Sequence, residues 1–266
     1  MPDGLRLALT TLSVFPVRGP ERLDRRTARS AMELAPAVGL LVGGGAAAVL
    51  LVFRVLADFR SPPLLPAALG IAAVAVLTRG LHLDGLADLV DGLASYRDPE
   101  GTREVMKRPD LGPMGMVAVA LTLIVQVSAL LSCTLHGRGS ASLITAVVTG
   151  RLAITWACTG PPAATSEGLG ALVAGTARRS VAVMWTVLLV VGAAAYTVID
   201  TDQDGSDLEH VVLTVISILA ALGLTWVVGR HALRRVGGLT GDVLGALCEL
   251  ATTGCLVGLA SGLWGA

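Results

Sequence analysis

Asp84, Asp88 and Asp91 fall at i, i+4 and i+7 within the stretch RGLHLDGLADLVDGLASYRD, residues 79–98. On a helix that spacing places the three carboxylates on one face, along about 10 Å of axis. Like charges on one stripe repel unless a cation sits among them. A hard divalent cation is the natural partner, and Mg²⁺ characteristically shares carboxylates with substrate phosphates. Mn²⁺ satisfies the same pattern. A plainer reading is a solvated helix with an acidic face. His82 stands two residues before the first aspartate. Its roles range from general base or substrate hydrogen-bond donor to a structural interfacial histidine. Gly85 and Gly92 would admit a neighbouring backbone or a bulky ligand, and Leu86, Leu89, Val90 and Leu93 are left for packing or lipid.

Other candidates lie further along. Lys107 and Arg108 precede Gly112 and Gly115 in REVMKRPDLGPMG. The two cations would offer charge to phosphates, and the glycines would leave backbone N–H groups accessible at a helix start, a good anion site. The same charges also serve as topology signals. Arg151 interrupts an apolar run; a charge there belongs in the bundle interior with a partner, or snorkels to an interface. The segment TSEGLGALVAGT, 165–176, offers Gly168 and Gly170 to a ligand-lining turn. Near the end, RRVGGLTGDVLGALCEL carries Gly237, Gly238 and Gly241 in a turn, then Asp242 and Glu249 seven residues apart on one helix face. Thr240 or Asp242 would cap that helix. Glu249, about 10 Å in, should line a polar cavity or meet a base.

The elements that must position these groups belong to a membrane. The chain is 53% hydrophobic and 15% charged, where a soluble domain carries roughly a quarter charged residues. Runs long enough to cross a hydrocarbon core of about 30 Å are expected at 34–57, 62–80, 113–135, 140–159, 181–199, 209–228 and 242–264. Leu5–Val17 is short and amphipathic and is expected to lie in the interface. With the N-terminus in the cytoplasm, sixteen basic residues fall on that side and three (Arg54, Arg60, Arg138) on the other. The expectation is therefore an all-α polytopic membrane protein forming one domain over 1–266. It has about seven spans, an N-terminal interfacial helix and a cytoplasmic acidic helix, in the cytoplasmic membrane with its chemistry facing the cytoplasm. Cys133, Cys158, Cys248 and Cys255 lack metal or disulfide spacing and read as reduced thiols. The N-terminus does not read as a signal peptide. The formal net charge of zero gives no support to a nucleic-acid partner. A homo-oligomer is compatible with the pattern.

HLDGLADLVDG (82–92) resembles the signature of the cobalamin synthases, the adenosylcobinamide-GDP ribazoletransferases. The 103–115 stretch, Gly150-Arg151, 165–176 and the 237–242 G-G-x-T-G-D element are similar to the same family. The resemblance implies a transferase that joins adenosylcobinamide-GDP to α-ribazole, or its 5′-phosphate, and releases GMP. It implies metal ligation by Asp84, Asp88 and Asp91, and catalytic roles for His82, Asp84 and Asp88. Substrate contacts would come from Lys107, Arg108, Arg151, Gly241, Asp242 and Glu249. Two rivals are a CDP-alcohol-type phosphotransferase of lipid synthesis and a small-solute transporter. The first fits poorly because Ala87 is followed by Asp88 rather than arginine, and the second because the acids cluster at one membrane face. DTDQDGSDLE, 200–209, imitates the first half of a Ca²⁺ loop, but Val211 stands where the closing glutamate belongs. It is expected to be a solvated acidic loop.

Overall fold

The computed structural model describes residues 1–56, 62–201 and 207–261. Half of the acidic 200–209 segment, residues 202–206, lies outside the described residues. Among those described the chain forms helices only, in the order α1 (Asp3–Leu12), α2 (Arg25–Glu33), α3 (Ala35–Leu56), α4 (Leu64–Leu77), α5 (Leu81–Ala94), α6 (Pro99–Met106), α7 (Pro113–Leu135), α8 (Gly139–Ala157), α9 (Gly168–Val173), α10 (Arg179–Thr201), α11 (Asp207–Val236) and α12 (Gly241–Ser261). Helices α3, α7, α8, α10, α11 and α12 are each long and apolar enough to cross a bilayer.

The run expected to span at 62–80 is shorter than its hydropathy suggested. Helix α4 has 14 residues, about 21 Å of rise. Arg79 (φ 56°) and Gly80 (φ 67°) then take left-handed conformations, and α5 departs at 86° to α4. A left-handed pair cannot continue a right-handed helix. The acidic helix therefore turns across the end of the bundle, and the chain has a seventh crossing only if the bent pair is counted as one span.

Helices α8 and α12 form the centre of the bundle; 67% of the apolar stretch of each is buried, against 22% in α7 and 11% in α10. Small residues permit this, because apolar burial alone does not drive helices together in lipid. Gly39 and Gly43 set α3 on α8, where a Cβ at either glycine would come within 3.1 Å of a Cα, that of Val148 or Ile144. Gly150 sets α8 on α12, with a virtual Cβ 2.8 Å from the Cys248 carbonyl oxygen. The four cysteines are buried and free.

The end of the bundle that carries α5 also collects α1, α2, α6 and α9. Helix α1 buries Leu7, Ala8, Leu9 and Leu12, and it is tied to the α4–α5 corner by Val14 N–H donating to the Leu77 carbonyl (2.8 Å) and Arg79 donating to the Thr10 carbonyl (2.8 Å). Helix α2 is capped by Asp24, which accepts from Thr27 N–H at 2.7 Å, and buries Thr27, Ala28, Ala31 and Met32. From its C-terminus Glu33 accepts a forked pair of bonds from the Arg178 guanidinium (2.9 and 2.8 Å) and a third from Arg178 N–H (3.0 Å). Those bonds hold the Glu33 carboxyl below its ordinary range against the opposing effect of burial.

A depressed carboxyl stabilises the fold above its unfolded pKa, and that stabilisation is lost as pH falls through the depressed value. Glu33→Gln should therefore lower the thermal midpoint of detergent-solubilised protein at pH 7. The gap to wild type should close as the pH is taken below 4. A gap independent of pH would show that the ion pair does not contribute as described.

Candidate active site

Helix α5 lies between α12 and α7, and glycines allow both contacts. A Cβ on Gly85 would meet the Asp242 carbonyl oxygen at 2.9 Å, and one on Gly245 would meet the His82 carbonyl oxygen at 3.1 Å. The start of the last helix is therefore pressed backbone to backbone against the first turns of the acidic helix. Gly92 leaves room for Met106 of α6, whose Cγ stands 2.6 Å from the virtual Cβ. The expectation that Gly85 and Gly92 admit close neighbours is met by α12 and α6 respectively.

This packing brings a fourth acid to the stripe. Asp84 is exposed, Asp88 and Asp242 are half-buried, and the charges of Asp84, Asp242 and Asp91 all bear on Asp88. Burial first, then those three neighbours, push the Asp88 carboxyl up to about 6. Thr240, rather than Asp242, caps α12: its hydroxyl accepts from Val243 N–H at 3.2 Å. Asp242 is thereby left in the first turn, where a negative charge also complements the helix dipole.

Asp91 has a different setting from the other two. Its two carboxylate oxygens accept Gly112 N–H and Gly115 N–H, each at 2.8 Å. The sequence expectation that Gly112 and Gly115 expose an anion-binding helix start is met from within the chain, by a side chain twenty-one residues earlier. Asp91 thus clamps the start of α7 to α5, as a capping carboxylate does.

His82 points the other way. It is 2% exposed and turned into the bundle, with Nδ1 3.5 Å from Nη2 of Arg151. Burial, then the Arg151 charge, hold its pKa well below the ordinary value, so the imidazole is neutral there. Arg151 itself has no exposed surface. Its Nη1 reaches the Val147 carbonyl at 3.5 Å, and Glu249 lies within its electrostatic reach without a salt bridge. Arg151 Nε and His82 Nε2 have no hydrogen-bond partner among the described residues. Glu249 accepts from the Gln126 amide of α7 at 2.9 Å, and the same amide donates to Thr253 at 2.9 Å. Gln126 was missed in the sequence, although it is the one amide side chain in the apolar run 113–135.

Lys107, Gly241 and Asp242 line a cleft of about 120 Å³ at the same end, together with Arg103, Thr165 and Gly168. Its walls are fastened by the 237–242 turn. Gly237 (φ 86°) and Gly238 (φ 146°) adopt backbone that other residues avoid, and Leu239 pairs with 162–164 through Leu239 N–H to Pro162 (2.9 Å) and Ala164 N–H to Leu239 (3.1 Å). Arg103 closes the floor by donating to the Val236 carbonyl at the end of α11, at 2.6 Å. Arg108 is exposed beyond α6 and does not line the cleft. The structure thus gathers Asp84, Asp88, Asp242, Gly241 and Lys107 at one boundary. It places His82, Arg151 and Glu249 in a polar core within the bundle.

Among the described residues, no three acidic, histidine or cysteine side chains converge on a point that would cage a metal. Asp84 and Asp88 make no salt bridge there either. An open, hard-oxygen, uncompensated acidic patch beside a cleft that carries both bases (Arg103, Lys107) and acids (Glu167, Asp242) suits a cation that keeps waters and completes its shell with substrate phosphate.

The family model described as cobalamin-5-phosphate synthase matches residues 4–260. A protein of Frankia casuarinae named adenosylcobinamide-GDP ribazoletransferase is 41% identical over 96% of this chain and 93% of its own length. Proteins of the same name from a Nocardioides species and from Stutzerimonas stutzeri are 39% and 38% identical, over 98% and 96% of this chain and 100% and 97% of their own. No solved structure matches.

Removing the Asp91 clamp should loosen the start of α7 selectively. Asp91→Ala should speed amide exchange at Gly112 and Gly115 roughly 5- to 30-fold, the effect of losing a cap of about 1–2 kcal/mol. Exchange in α8 should not change. Unchanged exchange at 112–115 would remove the clamp.

Proposed function

The chain belongs to the cobalamin-5-phosphate synthase family, and on that footing we propose how its acidic boundary performs the reaction for which its relatives are named. The reaction is that of its relatives, the adenosylcobinamide-GDP ribazoletransferases. A hydroxyl of α-ribazole, or of its 5′-phosphate, attacks the phosphorus next to cobinamide. A new P–O bond forms, the bond to the bridging oxygen of the diphosphate breaks, and GMP leaves with that oxygen. The active site faces the cytoplasm, on the side where the basic residues gather.

The observation that carries this reading is the meeting of Asp84, Asp88 and Asp242 with the cleft lined by Lys107 and Arg103. Phosphates at that boundary meet Lys107 directly, and Arg103 supports the cleft wall through its bond to Val236. Asp84, Asp88 and Asp242 would hold a divalent cation, Mg²⁺ or Mn²⁺. Bound there, it would neutralise diphosphate charge and stabilise the leaving GMP. Asp91 contributes by orienting α5 against α7. The ribazole hydroxyl proton needs an acceptor; His82 faces away from the cleft, so a carboxylate of α5 takes it. Thr165 and Gly168 line the opposite wall and would border the nucleotide. The cleft is open because a corrinoid is too large for a closed pocket in this chain.

The assay uses detergent-solubilised protein with adenosylcobinamide-GDP and α-ribazole. Cobalamin formation should require Mg²⁺ or Mn²⁺, stop with EDTA, and fall at least about 100-fold in Asp84→Asn and in Asp88→Asn, the scale of losing one group that stabilises transition-state charge. Full activity in EDTA would overturn the metal role, and absence of product from folded protein with either ribazole form would overturn the reaction.

A second readout does not depend on turnover. Asp88 is raised in the fold, so without a cation its contribution favours the folded state at low pH and is lost as pH rises from 3.8 toward about 6. Mg²⁺ should therefore raise the thermal midpoint more at pH 8 than at pH 5, where protons compete for the carboxylate. Equal stabilisation at both values would separate Asp88 from the cation site.

A further inference from the structure

A cavity larger than the cleft lies away from the acidic boundary. It has a volume of about 650 Å³ and lies between α8, α10, α11 and α12. Its lining runs along α11 from Leu219 to Leu233, about 21 Å of helix. That length covers one leaflet of a hydrocarbon core about 30 Å thick. Ala153 and Trp156 of α8 and Leu247 of α12 form its back. Its front is open toward lipid: Leu219 is 49% exposed and Trp226 63% exposed on a spanning helix. Helix α10 packs on α8 and α11 with only 11% of its apolar stretch buried, which leaves the opening between them.

The two ends of the groove differ. Toward Leu219 its lining is apolar. Toward the loops it is closed by Gly160, Pro161, Arg179 and Arg230, and no acidic side chain takes part in the lining. Arg179 and Arg230 are both exposed and neither forms a salt bridge among the described residues. Arg230 stands 4.9 Å over the Trp226 ring, which fixes its guanidinium at the level where an amphipathic indole prefers to sit, the headgroup boundary. An apolar slot one leaflet deep, ending in two exposed arginines, one of them held over an indole, is complementary to one class of ligand. Basic pockets between spanning helices select anionic headgroups.

We propose that this groove is a binding site for one anionic phospholipid, with an acyl chain between α10 and α11 and the phosphate held by Arg179 and Arg230. The lipid fills the space that loose packing of α10 leaves and ties α10 and α11 to the central pair. The site is separate from the acidic cleft, and its occupancy does not depend on the transferase reaction.

The test uses the whole chain in micelles containing equal amounts of phosphatidylglycerol and phosphatidylcholine, read by native mass spectrometry. Wild type should retain one phosphatidylglycerol in preference to phosphatidylcholine. Arg179→Gln and Arg230→Gln should each reduce that preference about fivefold, the effect of one basic residue at a membrane surface. Arg179→Lys and Arg230→Lys should keep most of it. If the glutamine variants do not fold, location is read instead in a chain whose remaining tryptophans are the two that line the groove, Trp156 and Trp226, after Trp185→Phe and Trp264→Phe. Dibrominated phosphatidylglycerol should quench them more strongly than dibrominated phosphatidylcholine. Equal retention of the two lipids by wild type, or equal quenching by both, would overturn the proposal.

Discussion

The contact on which the candidate active site depends is backbone against backbone. Gly85 of α5 lies against Asp242, and Gly245 of α12 lies against His82, at distances no larger side chain would tolerate. A helix that leaves its predecessor at 86° has no direction of its own. The two glycine contacts supply one, and Asp91 supplies the second fixed point by capping α7. With α5 held on both flanks, Asp84 and Asp88 must face the remaining side, where the first turn of α12 presents Asp242. The acidic patch is thus a consequence of how three helix ends meet, and each of the three requires a glycine at the meeting point.

Beneath that patch the bundle carries polar groups that lipid would exclude. Arg151 and Glu249 are buried, and ionisable groups at such depth persist only when paired or facing a polar interior. Here one arginine, one glutamate, a neutral histidine and a glutamine are distributed over α8, α12, α5 and α7. Each of these four helices contributes one member, so sliding any of them strands a polar group in an apolar setting. Such a network discriminates against alternative registers more than it adds net stability. His82 joins the two layers: its backbone carries α5 against Gly245, and its ring reaches Arg151.

Much of this was legible in residue spacing. The spans of 113–135 and 140–159, the position of an acidic helix after the second apolar run, and the burial of Arg151 follow from hydropathy and the expense of charge in lipid. Less legible was anything set by tertiary approach. The i, i+4, i+7 pattern groups Asp91 with Asp84 and Asp88 on one face, but a face is wider than a ligand shell. The seven residues from Asp84 to Asp91 carry the last carboxylate about 10 Å along the axis, to where α7 begins. Nothing local to 82–92 shows that. The same holds for His82, whose spacing from Asp84 is two residues, about 200° around a helix. That angle already turns it away from the acids, and a helical-wheel reading would have placed it on the buried side. Helix α2 and the Glu33–Arg178 pair escaped notice because they are polar segments between spans, where composition says only that a region is solvated.

The placement of charge at two depths also separates the transferase from a transporter on physical grounds. A carrier needs its coupling charges at a site reached alternately from both sides, near the midplane. In this bundle the charges on the spanning helices are enclosed: Arg151 has no exposed surface and Glu249 is 6% exposed. The accessible charges, Asp84 and Lys107, lie at one boundary on helices that do not cross. Access from one side to a patch of opposite charges is what an anionic, water-borne diphosphate requires. The spanning helices hold those ends in place, in a layer where Asp84 and Lys107 stay exposed.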